Sequence, residues 1–263
     1  PSLPNCLSAY GHHEPWNNTS FFNVIGHDVS IVTGFGIQVW TVPFTGIYKI
    51  IAKGAMGGTN GGHGGNIEAR FPLIKGDKYM ILIGQQGTVG NSRNGCGSGC
   101  GAGNTYTHPG GNLTGWVAGG GGGGTFMVKG DNFPGKTLSD VLIVAGGGGG
   151  RTSTGRPGEH VSPIASNATG GGTRLGHTNG GGGGGGLIGN GANSSGSTSY
   201  NDGGHSFVNG GRGGISHSHG ISEGGFGGGG SGGGNVGGGG GGINGGNFSA
   251  EGGDQPGQAG RSY

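Results

Sequence analysis

The stretch Gly130-Asp131-Asn132-Phe133-Pro134-Gly135-Lys136-Thr137 formally matches G-x-x-x-x-G-K-T, the loop whose backbone amides and lysine cradle nucleotide phosphates. That chemistry needs a strand before the loop and a helix after it, so that the helix N-terminus faces the anion. Phe126 to Lys129 reads as the strand, but Leu138 to Ala145 is a short β-branched run that stops at five glycines. A hairpin loop is therefore expected. His12-His13-Glu14, and His217-Ser218-His219 with Glu223, offer metal-ligand types but neither helical i, i+4 spacing nor a four-ligand set. Cys6, Cys96, Cys100 and His108 can be drawn as a zinc site, yet Cys96 and Cys100 share one tight loop and pair most simply with each other. Cys6 is then left for another chain or another role. No serine or cysteine stands in a nucleophile elbow, and the 11 carboxylates are scattered. Hence no catalytic residue, no cofactor site and no metal site is named, and an enzyme is not expected.

Six N-x-S/T sequons occur, at Asn17, Asn18, Asn112, Asn167, Asn193 and Asn247, where this composition gives about three by chance. The excess points to N-linked glycans and, with the cysteine pair, to a secreted chain. The net charge of +2 is spread thinly, which is no footprint for nucleic acid. No run of 18 apolar residues exists to insert in a membrane. The chain opens at Pro1 rather than methionine, as a processed or excised chain would.

The elements that must carry these residues are unusual, because 81 of 263 residues are glycine. Collagen needs glycine at every third position, whereas here it comes in runs at 119 to 124, 146 to 150, 180 to 186, 227 to 230 and 237 to 242. Glycine loses more backbone freedom on ordering than any other residue, so a run of this length must gain something regular in return. Extended glycine can adopt the threefold helix of polyproline II, which has no internal hydrogen bonds. Each peptide group then needs a partner on a neighbouring chain. Absent Cβ atoms let such rods pack side by side, six residues spanning roughly 20 Å.

Large apolar residues concentrate between 29 and 145. Val29 to Thr33, Ile37 to Val42, Ile47 to Ala52, Asn66 to Leu73, Tyr79 to Ile83, Phe126 to Lys129 and Val141 to Ala145 read as strands, several with period-2 alternation. Turn-like separators between them predict an antiparallel sandwich or jelly roll. Residues 1 to 35 form an extension with an edge strand. Residues 36 to 263 form one glycine-rich domain, its β-sandwich mainly in 36 to 145 and its glycine bundle mainly in 146 to 250. The runs at 57 to 65, 119 to 124 and 146 to 150 are expected to join the same bundle. The fold class expected is all-β with little or no helix.

Gln38-Val39-Trp40-Thr41-Val42-Pro43, Gly54-Ala55-Met56-Gly57-Gly58, Tyr79-Met80-Ile81-Leu82-Ile83-Gly84-Gln85-Gln86-Gly87, Trp116-Val117-Ala118 and Val141-Leu142-Ile143-Val144-Ala145-Gly146 together resemble the glycine-rich domain of the anaplastic lymphoma kinase and leukocyte tyrosine kinase receptor ectodomains. The resemblance covers roughly residues 36 to 250. It implies a tumour-necrosis-factor-like jelly roll carrying an inserted hexagonal bundle of polyglycine II helices. No growth-factor-like cysteine module, membrane span or kinase accompanies it, and Gly260 to Tyr263 stands where that family's closing strand begins. The first functional expectation is therefore a secreted, glycosylated structural module, assembling with copies of itself or with another extracellular protein. Two alternatives stand beside it: a ligand-binding ectodomain fragment of the receptor type, and an adhesin with receptor-binding loops.

Overall fold

The computed structural model describes residues 29–32, 36–58, 61–88, 118–151, 180–194, 201–216, 222–233, 236–247 and 257–263. Seven strands lie among them: β1 Val29–Val32, β2 Ile37–Thr41, β3 Gly46–Lys53, β4 Asn66–Leu73, β5 Lys78–Leu82, β6 Thr125–Lys129 and β7 Val141–Ala145. Each falls on a run expected from the sequence, with ends shifted by a residue or two. The only helical elements described are two three-residue 3-10 turns, Leu138–Asp140 and Phe207–Asn209. The protein is thus all-β, and every strand pair is antiparallel.

Five strands form one sheet in the order β1-β2-β5-β6-β7, and β3 and β4 pair separately as a hairpin. Alternation divides the larger sheet between two cores. Ile37 and Val39, Met80 and Leu82, and Phe126 and Val128 point to one face, while Trp40, Tyr79, Ile81 and Met127 point to the other. Between β6 and β7 the register slips, Met127 facing Ile143 and Val128 facing Val141, so Leu142 is the extra residue of a bulge. Leu142 and Ile143 consequently both turn to the second face.

That second face is covered by the hairpin through Tyr48, Ile50, Ala52, Ile67, Ala69, Phe71 and Leu73. The first face is closed by residues far along the chain. Leu187, Phe207, Phe226 and Ile243 are all buried against it, and Phe207 lies 5.2 Å from the Phe126 ring. Each of these four stabilises the fold by roughly 2 kcal/mol when fully buried.

The glycine segments are neither helix nor ladder. Gly119–Gly124 illustrate their order. The amides of Gly119 and Gly122 donate to Arg151 and Gly148, those of Gly120 and Gly123 to Thr88 and Gln85, and those of Gly121 and Gly124 to Gly230 and Gly227. Direction therefore repeats every third residue. The carbonyls repeat likewise, Gly119 and Gly122 accepting from Gly238 and Gly241, and Gly120 and Gly123 from Gly58 and Ala55. Gly121 accepts from Gly225, so this one segment is bonded to six surrounding stretches of chain. Gly238 to Gly242 repeat the pattern, donating in turn to Gly119, Gly182, Gln258, Gly122 and Gly185. The early runs at 119–124 and 146–150 thus interleave with the late ones, and residues 54–58 and 61–65 join them through bonds to Gly123, Gly146 and Gly149.

A side chain has no room in this lattice. A Cβ on Gly122 would fall on the carbonyl oxygens of Ala55 and Met56, whereas one on Gly46 would meet nothing within 4 Å. Gly122→Ala is expected to lower the unfolding free energy by about 3 kcal/mol or more, as neighbouring backbones are forced apart. Gly46→Ala is expected to raise it by about 0.5 kcal/mol, by restricting the unfolded chain. Urea unfolding of the two variants checks the contrast, and equal effects would contradict the packing.

Burial also sets an alkaline limit. Tyr79 is 4% exposed in the second core, and burial raises its phenol pKa above 10.0, with the nearby Asp77 adding to the rise and Lys129 opposing it. The neutral phenol is favoured in the folded state, so its stabilising contribution is full below the ordinary tyrosine pKa and is lost as pH climbs through the folded value. Urea midpoints should fall on the alkaline side of pH 10.0, and Tyr79→Phe should flatten that fall.

Candidate interaction surface

The Gly130 to Thr137 segment is a hairpin loop, as its flanks predict. Lys136 Nζ donates to the Lys129 carbonyl at 2.5 Å, and the helical piece that follows spans only Leu138–Asp140. The Asp140 carboxylate accepts the Thr137 amide at 2.8 Å, which holds its pKa below the ordinary value. Lys78 Nζ reaches Asp131 at 2.9 Å and lowers that carboxyl's pKa too. The loop is therefore closed on itself, its lysine committed to the hairpin rather than to a phosphate. Among the described residues no group of three His, Cys, Asp or Glu could hold a metal ion, and no helix is long and apolar enough to cross a membrane.

The asparagines of two of the six sequons are among the described residues. Asn193 and Asn247 are both exposed, and Asn193 Oδ1 accepts the Gly203 amide at 2.9 Å, fixing that side chain at the surface. Asn17, Asn18, Asn112, Asn167, Cys6, Cys96, Cys100, His12, His13, His108, His217 and His219 lie outside the described residues.

The surface feature that the sequence reading missed is the outward face of the hairpin. The β2–β3 and β4–β5 connections meet at one end of the sandwich, where Val42 donates to Asp77 at 2.8 Å, Gly76 to Val42 at 2.9 Å and Lys75 to Thr45 Oγ1 at 3.0 Å. Gly76 takes φ +89°, the positive value that this tight turn demands at its third position. Tyr48 Oη donates to the Phe44 carbonyl at 2.7 Å and fixes the other turn. The outcome is an apolar end, with Phe44 71%, Ile47 77% and Ile74 62% exposed. Pro72, opposite Ile47 in the register, is exposed beside them.

Further along the same face the pairs are Lys49 opposite Arg70, Ile51 opposite Glu68 and Lys53 opposite Asn66. Lys49 Nζ reaches diagonally to Glu68 Oε1 at 2.8 Å. Half-exposed, that pair is worth at most about 1 kcal/mol. Arg70 forms no ion pair among the described residues. Two cations thus stand directly across one ladder, an arrangement that costs free energy. The clue in the sequence was Ile47-Tyr48-Lys49-Ile50-Ile51 itself, in which isoleucines occupy both parities, so a strand covered on one side only must expose some of them.

No family model matches the chain. It is similar to the mouse leukocyte tyrosine kinase receptor, at 35% identity over 98 residues, covering 33% of this chain and 11% of the receptor. The chain therefore aligns with about a tenth of that relative's length.

The like-charge pair makes a stability prediction. Arg70→Thr should raise the unfolding free energy by about 0.5 kcal/mol at low salt, and the gain should shrink as salt screens the charges. Lys49→Thr also breaks the Glu68 pair and should gain less. Urea midpoints measured at two ionic strengths decide between them.

Proposed function

We propose that this chain is a receptor-type extracellular module that recognises a protein ligand. The observation that carries the reading is its 35% identity to the leukocyte tyrosine kinase receptor over 98 residues. An all-β chain without a membrane-crossing helix among its described residues is compatible with an extracellular place. The likeness favours this reading over the self-assembling fibre expected first from the sequence.

In this proposal the two packed sheets are the described part of a jelly roll. The glycine segments are polyglycine II helices, a reading supported by the three-residue repeat of hydrogen-bond direction along Gly119–Gly124 and Gly238–Gly242. Asn193 and Asn247 carry N-linked glycans, for which their exposure leaves room. The pairing of Cys96 with Cys100 and an intermolecular role for Cys6 belong to the same secreted setting.

The test is to display the chain on a cell surface and proximity-label its extracellular neighbours. The expected result is labelling of a secreted or membrane-tethered protein that excess soluble chain competes away. A concentration-dependent polymer of the purified chain, with no competed neighbour, would sink the receptor-type reading. Intact mass of the secreted chain should fall by one glycan in each of Asn193→Gln and Asn247→Gln. An unchanged mass in both would remove these two glycans from the account.

A further inference from the structure

We infer that the outward face of the β3–β4 hairpin docks an acidic protein surface, one that places an Asp or Glu carboxylate between Lys49 and Arg70 with apolar side chains on either side. The inference rests on the receptor-type reading and names the face and the partner chemistry for it.

Three observations lead to this occupant. Ile47, Lys49 and Ile51 alternate along β3 on one side, so a cation sits between two exposed isoleucines, each about 7 Å away along the strand. Arg70 lies directly across from Lys49 with no ion pair among the described residues, and its guanidinium is the group best shaped to take a carboxylate through two parallel hydrogen bonds. Lys49, Lys53, Arg70 and the neighbouring Lys75, against Glu68 alone, leave this face more positive than the +2 of the whole chain. A partner carboxylate relieves the repulsion between Lys49 and Arg70. In the free protein Glu68 offsets that repulsion from the Lys49 side only, which leaves the site complementary to a further anion at Arg70 before anything binds.

The apolar residues distinguish a protein from other anions. Phe44, Ile47 and Ile74 are all exposed toward one end of the hairpin, and an anionic polysaccharide or free phosphate offers little apolar surface to cover them. A lipid surface fits poorly, because sinking Ile47 and Ile51 into hydrocarbon drags Lys49 in between them. A second copy meeting this face with its own would set Lys49 and Arg70 against the same cations. An acidic, apolar protein surface satisfies both parts of the face at once.

The experiment pans a phage-displayed random peptide library against the secreted chain, with counter-selection on Arg70→Glu. Variants Ile47→Ser and Phe44→Ser are added, and thermal melting confirms that each is folded. Expected clones carry Asp or Glu flanked by aliphatic or aromatic residues and bind wild type. They lose about tenfold or more in affinity on Arg70→Glu and on Ile47→Ser, and weaken as salt rises. Clones that bind every variant equally, or that are enriched in Lys and Arg, overturn the inference. So does Phe44-dependent pelleting with phosphatidylserine–phosphatidylcholine vesicles in the absence of face-dependent peptides, and so does self-association abolished by Arg70→Glu in sedimentation. If cell-surface labelling finds a competed ligand that Arg70→Glu leaves in place, the docking face is wrong while the receptor-type reading stands. If the purified chain polymerises, that reading fails, and the peptide arm still decides the chemistry of this face.

Discussion

Everything in this fold follows from one constraint, which is that an extended glycine segment cannot satisfy its own peptide groups. A threefold extended chain makes no internal hydrogen bonds, and a buried amide without a partner costs more than a formed hydrogen bond gains. Gly119–Gly124 are buried, so their amides and carbonyls must be met by other segments, and six of them surround it. Each neighbour has the same need. A single segment is therefore unstable alone, and the set orders together. The requirement for close approach excludes Cβ atoms from the interior, which is why glycine and not merely small residues fills it. Where the lattice ends, side chains imitate peptides: Ser262 Oγ accepts the Gly146 amide at 3.0 Å, and Asn201 Nδ2 donates to the Gly180 carbonyl at 2.8 Å.

The sandwich and the lattice stabilise each other because strands run directly into glycine segments. β3 ends at Lys53 and continues as Gly54, the Gly119–Gly124 run leads into β6, and β7 ends at Ala145 before Gly146. A strand held in register by its sheet delivers the following segment at a fixed place, offsetting part of the entropy of ordering glycine. In return the lattice positions Leu187, Phe207, Phe226 and Ile243 over the open face of the five-stranded sheet. Residue 263 joins in as well, Tyr263 N–H donating to the Val144 carbonyl at 2.8 Å and Val144 N–H to the Tyr263 carbonyl at 2.9 Å along the outer side of β7.

Strand positions were legible because alternation and β-branched residues are local signals, and the seven runs needed no tertiary information. The segregation of glycine into runs was legible for the same reason. What alternation could not reveal was which faces meet. β5 reads Lys78-Tyr79-Met80-Ile81-Leu82, apolar on both sides, and its sheet is indeed covered on both. β3 has nearly the same look in Ile47-Tyr48-Lys49-Ile50-Ile51, yet only its Tyr48, Ile50 and Ala52 side is covered. The difference depends on partners far apart in the chain. The separation of β3 and β4 from the larger sheet and the bulge at Leu142 are likewise products of packing that no local window contains.

The glycine lattice also narrows where recognition can happen. Binding specificity resides in side chains that differ in shape, charge and hydrogen-bonding groups, and a buried glycine segment has none to offer. The described residues that combine exposed large apolar groups with unpaired charge belong to the β3–β4 hairpin and its adjoining turns. They stand on a strand pair whose other face is anchored in the core through Tyr48, Ile50, Phe71 and Leu73, so the surface is preorganised and a ligand need not order it on binding. A scaffold that spends so much of its sequence on a side-chain-free interior must concentrate its chemistry on what remains. Ile47, Lys49, Ile51 and Arg70 are where that chemistry is most concentrated.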